Sequence, residues 1–257
     1  MDHILNNMVG ASSKSDLNTI DAPIFSLQKK IDNKQFKWEK DDLKLIVTPN
    51  RYGRATIWDK DIILYLIGQV AATINRKGEP SRTIRTVASE ILLASKRGSG
   101  GDRYHRLNEA FRRLKNTTIE TNMSVEGYIE TKKFSLIQDW REVKNLETNK
   151  TIYLDVTLSE WLYKAALSLK LVTYDKEYFE ITSGTERRLY EIFRKHLGRS
   201  SAWNIGEKKL FHKVGSRGNI RRFRYELKKL NGKIVGFRFY YDLKKKKIYV
   251  YPGSKKP

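Results

Sequence analysis

Two short basic segments, one in each half of the chain, share one apolar spacing, and that pairing limits the fold more than any other feature. The first runs from Arg103 to Lys115 and the second from Asn219 to Leu230. Apolar residues fall at i, i+4 and i+7 in both: Leu107, Phe111 and Leu114, then Phe223, Leu227 and Leu230. On a helix this spacing makes one apolar stripe, which must be buried, and leaves the opposite face to solvent or a partner. The second free face presents Arg221, Tyr225 and Lys228, flanked by Arg222, Arg224 and Lys229. The turn Gly215-Ser216-Arg217-Gly218 precedes it. Cations on a free helix face behind a glycine turn are what a major-groove reader presents. One such helix is more simply a solvated surface; two in similar surroundings point to a polyanion.

The charge agrees. A formal net charge of +22 over 257 residues points to a polyanionic partner. Residues 158–257 hold +16 of it and residues 1–157 only +6. The excess gathers after Glu207, through the second basic helix and the run Lys244-Lys245-Lys246-Lys247. The chain has no cysteine, which excludes disulfides, thiolate metal sites and cysteine nucleophiles. Its longest apolar run, Ile62–Ile67, is too short to cross a bilayer, and the start lacks a basic-then-apolar leader. A cytoplasmic protein is expected.

The length suits two domains. Residues 1–20 read as a mobile arm, 21–157 as a first domain, 158–180 as a linker and 181–257 as a second domain. In the first, Leu43–Thr48 reads as a strand, Asp59 or Asp61 opens a helix to about Asn75, and Thr83–Leu93 reads as a second helix. Gly98-Ser99-Gly100-Gly101 turns into the basic helix, giving helix-turn-helix order. Thr117–Asn122 and Tyr128–Trp140, joined around Glu126-Gly127, with Thr151–Thr157, read as strands that turn the motif into a winged one. The second half repeats the plan: helices at Glu186–His196 and Lys208–Val214, the basic helix, then a hairpin of Val235–Asp242 and Lys246–Tyr251 with lysines at its tip. The expected fold class is α+β, as tandem winged-helix domains.

Little suggests catalysis. His3, His105, His196 and His212 are too scattered for a metal cluster, and no HExxH or HxH pair exists. Gly98–Gly101 is not followed by Gly-Lys-Ser/Thr, so it is no nucleotide-binding loop. Asp59 and Asp61 are better read as charges at a helix N-terminus than as an acid–base pair. His105 either contacts nucleic acid or is a solvated surface side chain. No enzyme activity, cofactor or metal is expected.

Several blocks together resemble the replication initiator protein A family of bacterial plasmids: Ala22–Lys30, Tyr52–Asp61, Ser81-Arg82-Thr83, Arg97–Asp102, and Glu186–Glu191 with Lys195-His196. The resemblance spans roughly Ala22 to Tyr251 and carries only the charge pattern over Gly215–Asn231. It implies an initiator that binds iteron repeats in double-stranded DNA at a plasmid origin and helps open AT-rich DNA. It further implies recruitment of the host initiator and the replicative helicase or its loader, and a monomer–dimer equilibrium with the dimer on its own promoter. The alternative is a tandem winged-helix transcriptional repressor without initiation activity; a nicking or priming enzyme and a structural RNA-binding protein are less well supported.

Candidate DNA contacts sort by chemistry. Arg221, Arg222, Arg224, Lys228 and Lys229 line the free face of the second helix, where arginine can grip guanine O6 and N7. Arg217 and Asn219 stand at its head; Asn219 either reads adenine or caps the helix. Lys244, Lys245, Lys246 and Lys247 suit phosphate. Tyr225 either stacks or is partly packed. In the first domain Arg103, Tyr104, Arg106, Arg112 and Arg113 take related positions, with Glu109 where Tyr225 falls. Arg82 and Arg85, at the head of the helix before it, read as phosphate clamps. The second domain is expected to supply most of the affinity.

Overall fold

The computed structural model describes residues 22–40, 43–95, 101–125, 128–168, 172 and 174–253. The arm expected over residues 1–20, most of the glycine turn before the first basic helix, and the turn at Glu126-Gly127 lie outside these residues.

The first half opens with strands β1 (Phe36–Lys40) and β2 (Leu43–Thr48), paired antiparallel. Helix α1 (Lys60–Asn75) follows, and its sequence Ile-Ile-Leu-Tyr-Leu-Ile is apolar on every side. It is therefore buried along most of its length instead of along one stripe. It ends where Lys77 turns to φ 58° ahead of Gly78 and Pro80. Strand β3 (Thr83–Thr86), helix α2 (Ala88–Ala94) and the basic helix α3 (Gly101–Asn116) come next. Four strands close this half: β4 (Thr118–Val125), β5 (Tyr128–Phe134), β6 (Ile137–Lys144) and β7 (Thr151–Leu158).

Helix α4 (Glu160–Leu167), capped by the Ser159 hydroxyl, and a 3-10 turn (Lys176–Glu180) lead into the second half. There α5 (Gly184–Leu197), β8 (Trp203–Gly206), α6 (Glu207–Val214) and the basic helix α7 (Ile220–Lys229) are followed by β9 (Lys233–Ile234), β10 (Phe237–Asp242) and β11 (Lys247–Pro252).

The halves share a topology. Each runs helix, strand, helix, basic helix and then strands, and in each the last strand pairs between the strand that precedes the second helix and its own hairpin partner: β7 between β3 and β6 in a three-stranded sheet, β11 between β8 and β10 in a four-stranded sheet that β9 extends. The first half adds a separate sheet, β1-β2-β4-β5. Two apolar cores correspond. Leu107, Phe111 and Leu114 of α3 pack with α1, β2 and β7 in the first; Phe223 and Leu227 of α7 pack with α5 and the β10–β11 hairpin in the second. The shared apolar spacing therefore performs one task twice, seating a basic helix on its core. Truncating any one of these side chains to alanine removes ~2–5 kcal/mol.

Three expectations are corrected. Thr83–Leu93 is not one helix. Thr83-Ile84-Arg85-Thr86 is a strand, alternately exposed and buried, whose register on β7 sets Ile84 against Val156, and only Ala88–Ala94 is helical. Tyr128–Trp140 is two strands, broken at Ser135, because Leu136 and Ile137 turn into the core. The hairpin beside the first basic helix is consequently β6–β7, while β4–β5 joins the additional sheet. Residues 158–180, expected as a linker, hold α4, whose Leu162 and Ala166 belong to the first core, and Tyr174, Tyr178 and Phe179, which belong to the second.

Candidate nucleic-acid interface

Helix α7 begins at a built corner. Gly215 ends α6 in the left-handed region at φ 69°, and a Cβ there would meet Pro23 Cβ at 2.2 Å, so both backbone and space require glycine. Asn219 is the N-cap, its Oδ1 accepting from the Arg222 amide at 2.9 Å. The capping alternative for Asn219 is the one realised. Phe223 and Leu227 then point inward, and Arg221, Tyr225, Lys228 and Lys229 are exposed. Tyr225 is 67% exposed, so the reading of a packed tyrosine gives way to a free ring on the cationic face.

Not every cation on this helix is available. Arg224 donates from Nη2 and Nε to Glu207 at 2.7 and 3.0 Å, and the Tyr241 hydroxyl donates to the same carboxylate. The Arg224 guanidinium holds the Glu207 carboxyl below the usual carboxylate range, against the upward push of burial and with help from Tyr241. Arg222 is leashed to Glu226 at 3.2 Å but stays largely exposed. Arg217 turns inward to Asp32 at 3.0 Å. Arg221, Lys228 and Lys229 make no ion pair among the described residues.

The hairpin tip is also polar and charged. Leu243, Lys244, Lys245 and Lys246 form the turn between β10 and β11, all exposed, with Asp242 Oδ1 accepting from the Lys245 amide at 2.9 Å. Lys246 takes φ 49°, and its carbonyl accepts from the Glu207 amide at 2.9 Å. Lys247 lies on β11 with its Nζ 5.6 Å from the Tyr249 ring center. Glu207 therefore ties helix and hairpin together: its amide holds the tip and its carboxylate holds Arg224.

On α3, Tyr104, His105, Arg106 and Arg112 are exposed. Arg113 is instead held by Asp59 through two bonds of 2.8 and 2.9 Å. A cleft of about 540 Å³ runs beside the helix, lined by Arg103, Arg106 and Glu109 with Arg51, Tyr52 and Lys29 opposite. The guanidinium carbons of Arg51 and Arg112 lie 4.8 and 5.2 Å from the Tyr52 ring center. Arg85 is not at a helix head. It sits on β3, bonded to Asp155 at 2.8 and 3.0 Å and stacked on Tyr153, while Arg82 directly precedes that strand.

Two basic helices, each with a hairpin beside it, thus stand on a duplicated topology. Residues 14–234 match the family described as Replication initiator protein A. The chain belongs to that family. A protein of Wigglesworthia glossinidia brevipalpis, provisionally named as a replication protein, is 33% identical over 226 residues, covering 86% of this chain and 81% of its own length. Among solved structures, domains 2 and 3 of RctB superpose with a TM-score of 0.67 at 9% identity, over 94% of this chain and all of theirs. A second RctB structure of the same domains gives 0.58 at 12% identity, over 91% of this chain and 96% of that one. At such low identity the likeness is one of fold.

For this family member, two cations near α3 were missed in the sequence: Lys29 and Arg51 lie in loops with no helical period to mark them. Lys29 falls inside the block Ala22–Lys30 that carries the family resemblance, which was the available signal for it; Arg51 stands one residue before the block Tyr52–Asp61. Among the described residues no group of His, Asp and Glu could hold a metal ion, and no helix is long and apolar enough to cross a membrane.

Proposed function

We propose that the chain initiates plasmid replication by binding iteron repeats in double-stranded DNA through two winged-helix units, acting in the cytoplasm without a catalytic step of its own. The observation that carries this reading is the duplicated order of helix, strand, helix, basic helix and hairpin, with the last strand central in both sheets. In such a unit the basic helix lies in the major groove and the hairpin follows the backbone. Arg221 and Arg222 then face base edges, where a bidentate arginine–guanine contact discriminates by about 1–3 kcal/mol. Lys228, Lys229 and Lys244–Lys247 neutralise phosphates and set affinity without selecting sequence. Arg103, Arg106 and Arg112 serve the first unit in the same way. The family supports the rest: opening of neighbouring AT-rich DNA, contact with the host initiator and the helicase or its loader, and a dimer on the chain's own promoter.

A gel-shift titration at near-physiological salt, on DNA flanking the gene against scrambled DNA, tests the binding. Affinity that steps up with the number of repeats is expected; equal binding to scrambled DNA defeats the reading. A plasmid carrying only this gene and its upstream DNA tests initiation. Specific binding with no replication in a suitable host leaves a repressor.

A further inference from the structure

A polar cavity of about 230 Å³ lies where the segment carrying Asp32 and Arg54 meets the first turns of α5 and α7. Two guanidiniums share one carboxylate on its wall. Arg54, with a side chain 2% exposed, places Nη2 3.3 Å from Asp32 Oδ2, and Arg217 Nη1 stands 3.0 Å from Asp32 Oδ1. Arg217 Nη2 also donates to the Lys34 carbonyl. Asp32 is already occupied, accepting from the Ser26 hydroxyl at 3.0 Å and the Lys34 amide at 3.3 Å. Among the described residues, three enclosed donors are left without a hydrogen-bond partner: Arg54 Nε, Arg54 Nη1 and Arg217 Nε. The Phe36 ring lies 4.6 Å from one guanidinium and 5.9 Å from the other, which satisfies their faces and not their N–H edges.

The charge is equally unfinished. Arg54 and Arg217 bring two positive charges against the single negative charge of Asp32. Burial lowers the Arg54 guanidinium to about 10; Asp32 opposes that, and the neighbouring Arg217 adds to it. Buried polar groups in native folds are paired, so unpaired donors with an excess charge mark a place for an anion. The rim supports one. Arg222 reaches it, and the Ser183-Gly184-Thr185 turn that starts the 14-residue α5 opens onto it, presenting the positive end of the helix dipole. The second carboxylate at the rim, Glu226, is engaged by Arg222 at 3.2 Å and the Thr185 hydroxyl at 2.9 Å.

We propose that this cavity is a phosphate-binding site, taking either a backbone phosphate of DNA passing the junction of the two halves or the phosphate of a free small molecule. A tetrahedral oxyanion accepts from guanidinium edges and helix amides together, which a halide or a neutral polar group does not match. The site itself stands apart from the DNA reading; only the choice of source rests on it.

Thermal unfolding of the full chain in inorganic phosphate against sodium chloride at matched ionic strength tests the site, with Arg54→Met and Arg217→Met beside the native protein. A phosphate-specific rise in Tm is expected for the native chain and a smaller one for the variants. Arg217 is partly exposed, so its variant carries the comparison should Arg54→Met fail to fold. Salt titration of duplex binding then separates the sources. A log K against log salt slope shallower by ~0.9 in the variants assigns a DNA phosphate. An unchanged slope beside the Tm difference assigns a free phosphate compound. Equal stabilisation of all three proteins together with an unchanged slope overturns the proposal. A native chain that binds no DNA defeats the DNA reading alone, since the Tm comparison still reports on the cavity.

Discussion

Arg221 and Arg224 are three residues apart on one basic helix, and their surroundings divide their work. Arg221 is exposed and makes no ion pair among the described residues; Arg224 is spent on Glu207, which also holds the hairpin tip. Arg221→Ala should therefore leave Tm unchanged and relax preference at one base position, by ~1–3 kcal/mol. Arg224→Ala should lower Tm, because a buried Glu207 loses its countercharge, and should weaken binding at all sites as the hairpin loosens. Melting curves beside competition binding with single-base-substituted sites check both. Arg224→Ala that melts normally and alters one base position would reverse the assignment. Asp155 gives a pH test at the same scale. Bonds from Arg85 and Arg141 hold its carboxyl at about 2, below the ordinary 3.8. A carboxyl depressed in the folded state stabilises above its unfolded value and loses that contribution as pH falls through the folded one. Its share is thus complete above about pH 4 and lost toward pH 2. Denaturant unfolding of Asp155→Asn should show a shallower loss of stability across that window than the native chain. Equal slopes would remove Asp155 from the acid response.

Among elements, the β10–β11 hairpin is the clearest test of sorting by chemistry. Its tip lysines form no bidentate pattern that a base edge could match, so replacing Lys244–Lys247 by alanine should weaken binding to every sequence alike. The slope of log K against log salt should shrink by ~0.9 for each phosphate released, approaching ~3–4 in all. Specificity that collapses while nonspecific affinity holds would show that the tip reads bases. Helix α7 and this hairpin were legible in the sequence because the i, i+4, i+7 stripe of α7 follows a glycine turn and a capping Asn219, and the hairpin's two alternating runs flank a turn of lysines. The segment Thr83–Ala88 was not. Ile84, Ala88 and Ile91 satisfy a helical period, yet Ile84 and Thr86 also alternate as a strand; the decision belongs to β7, whose pairing takes the first four residues. β1 was invisible for another reason: in Phe36-Lys37-Trp38-Glu39-Lys40 only Trp38 is fully buried, and pairing with β2 alone defines it. Cations of α3 and α7 were readable one helix at a time. The Arg54–Arg217 cavity was not, since its members come from opposite halves and meet only through the fold.

For the whole molecule, the junction of the halves carries buried charges where an apolar seam would be simpler. Arg187 of α5 donates from Nη1 to both oxygens of Asp61 on α1 at 2.7 and 2.9 Å, with both side chains at most 2% exposed. Its other nitrogens bond the carbonyls of Ile181 and Phe179 at 2.8 and 2.9 Å. Beside it Lys60 meets Glu191 at 2.8 Å, and Glu191 also takes Arg188 at 3.1 Å and the Tyr178 hydroxyl at 2.9 Å. Burial pushes the Glu191 carboxyl up, but Lys60 and Arg188 together outweigh it and keep it low. Such a network stabilises little against an apolar equivalent, yet breaking one partner strands a buried charge. Its directional bonds fix how α1 meets α5, and so how the two basic helices are spaced. Asp61→Asn should cost ~3–5 kcal/mol in denaturant unfolding, while Asp61→Leu with Arg187→Met should recover much of that loss. The double variant should then keep its affinity for one repeat but tolerate altered spacing between the sequences each half contacts, because apolar contact holds the halves together without setting their angle. Leu64 of α1 packs in the second core, and Trp38 of β1 stacks on His212 of α6 at 5.0 Å; a double variant as strict about spacing as the native chain would assign the geometry to these contacts instead of to the ion pairs.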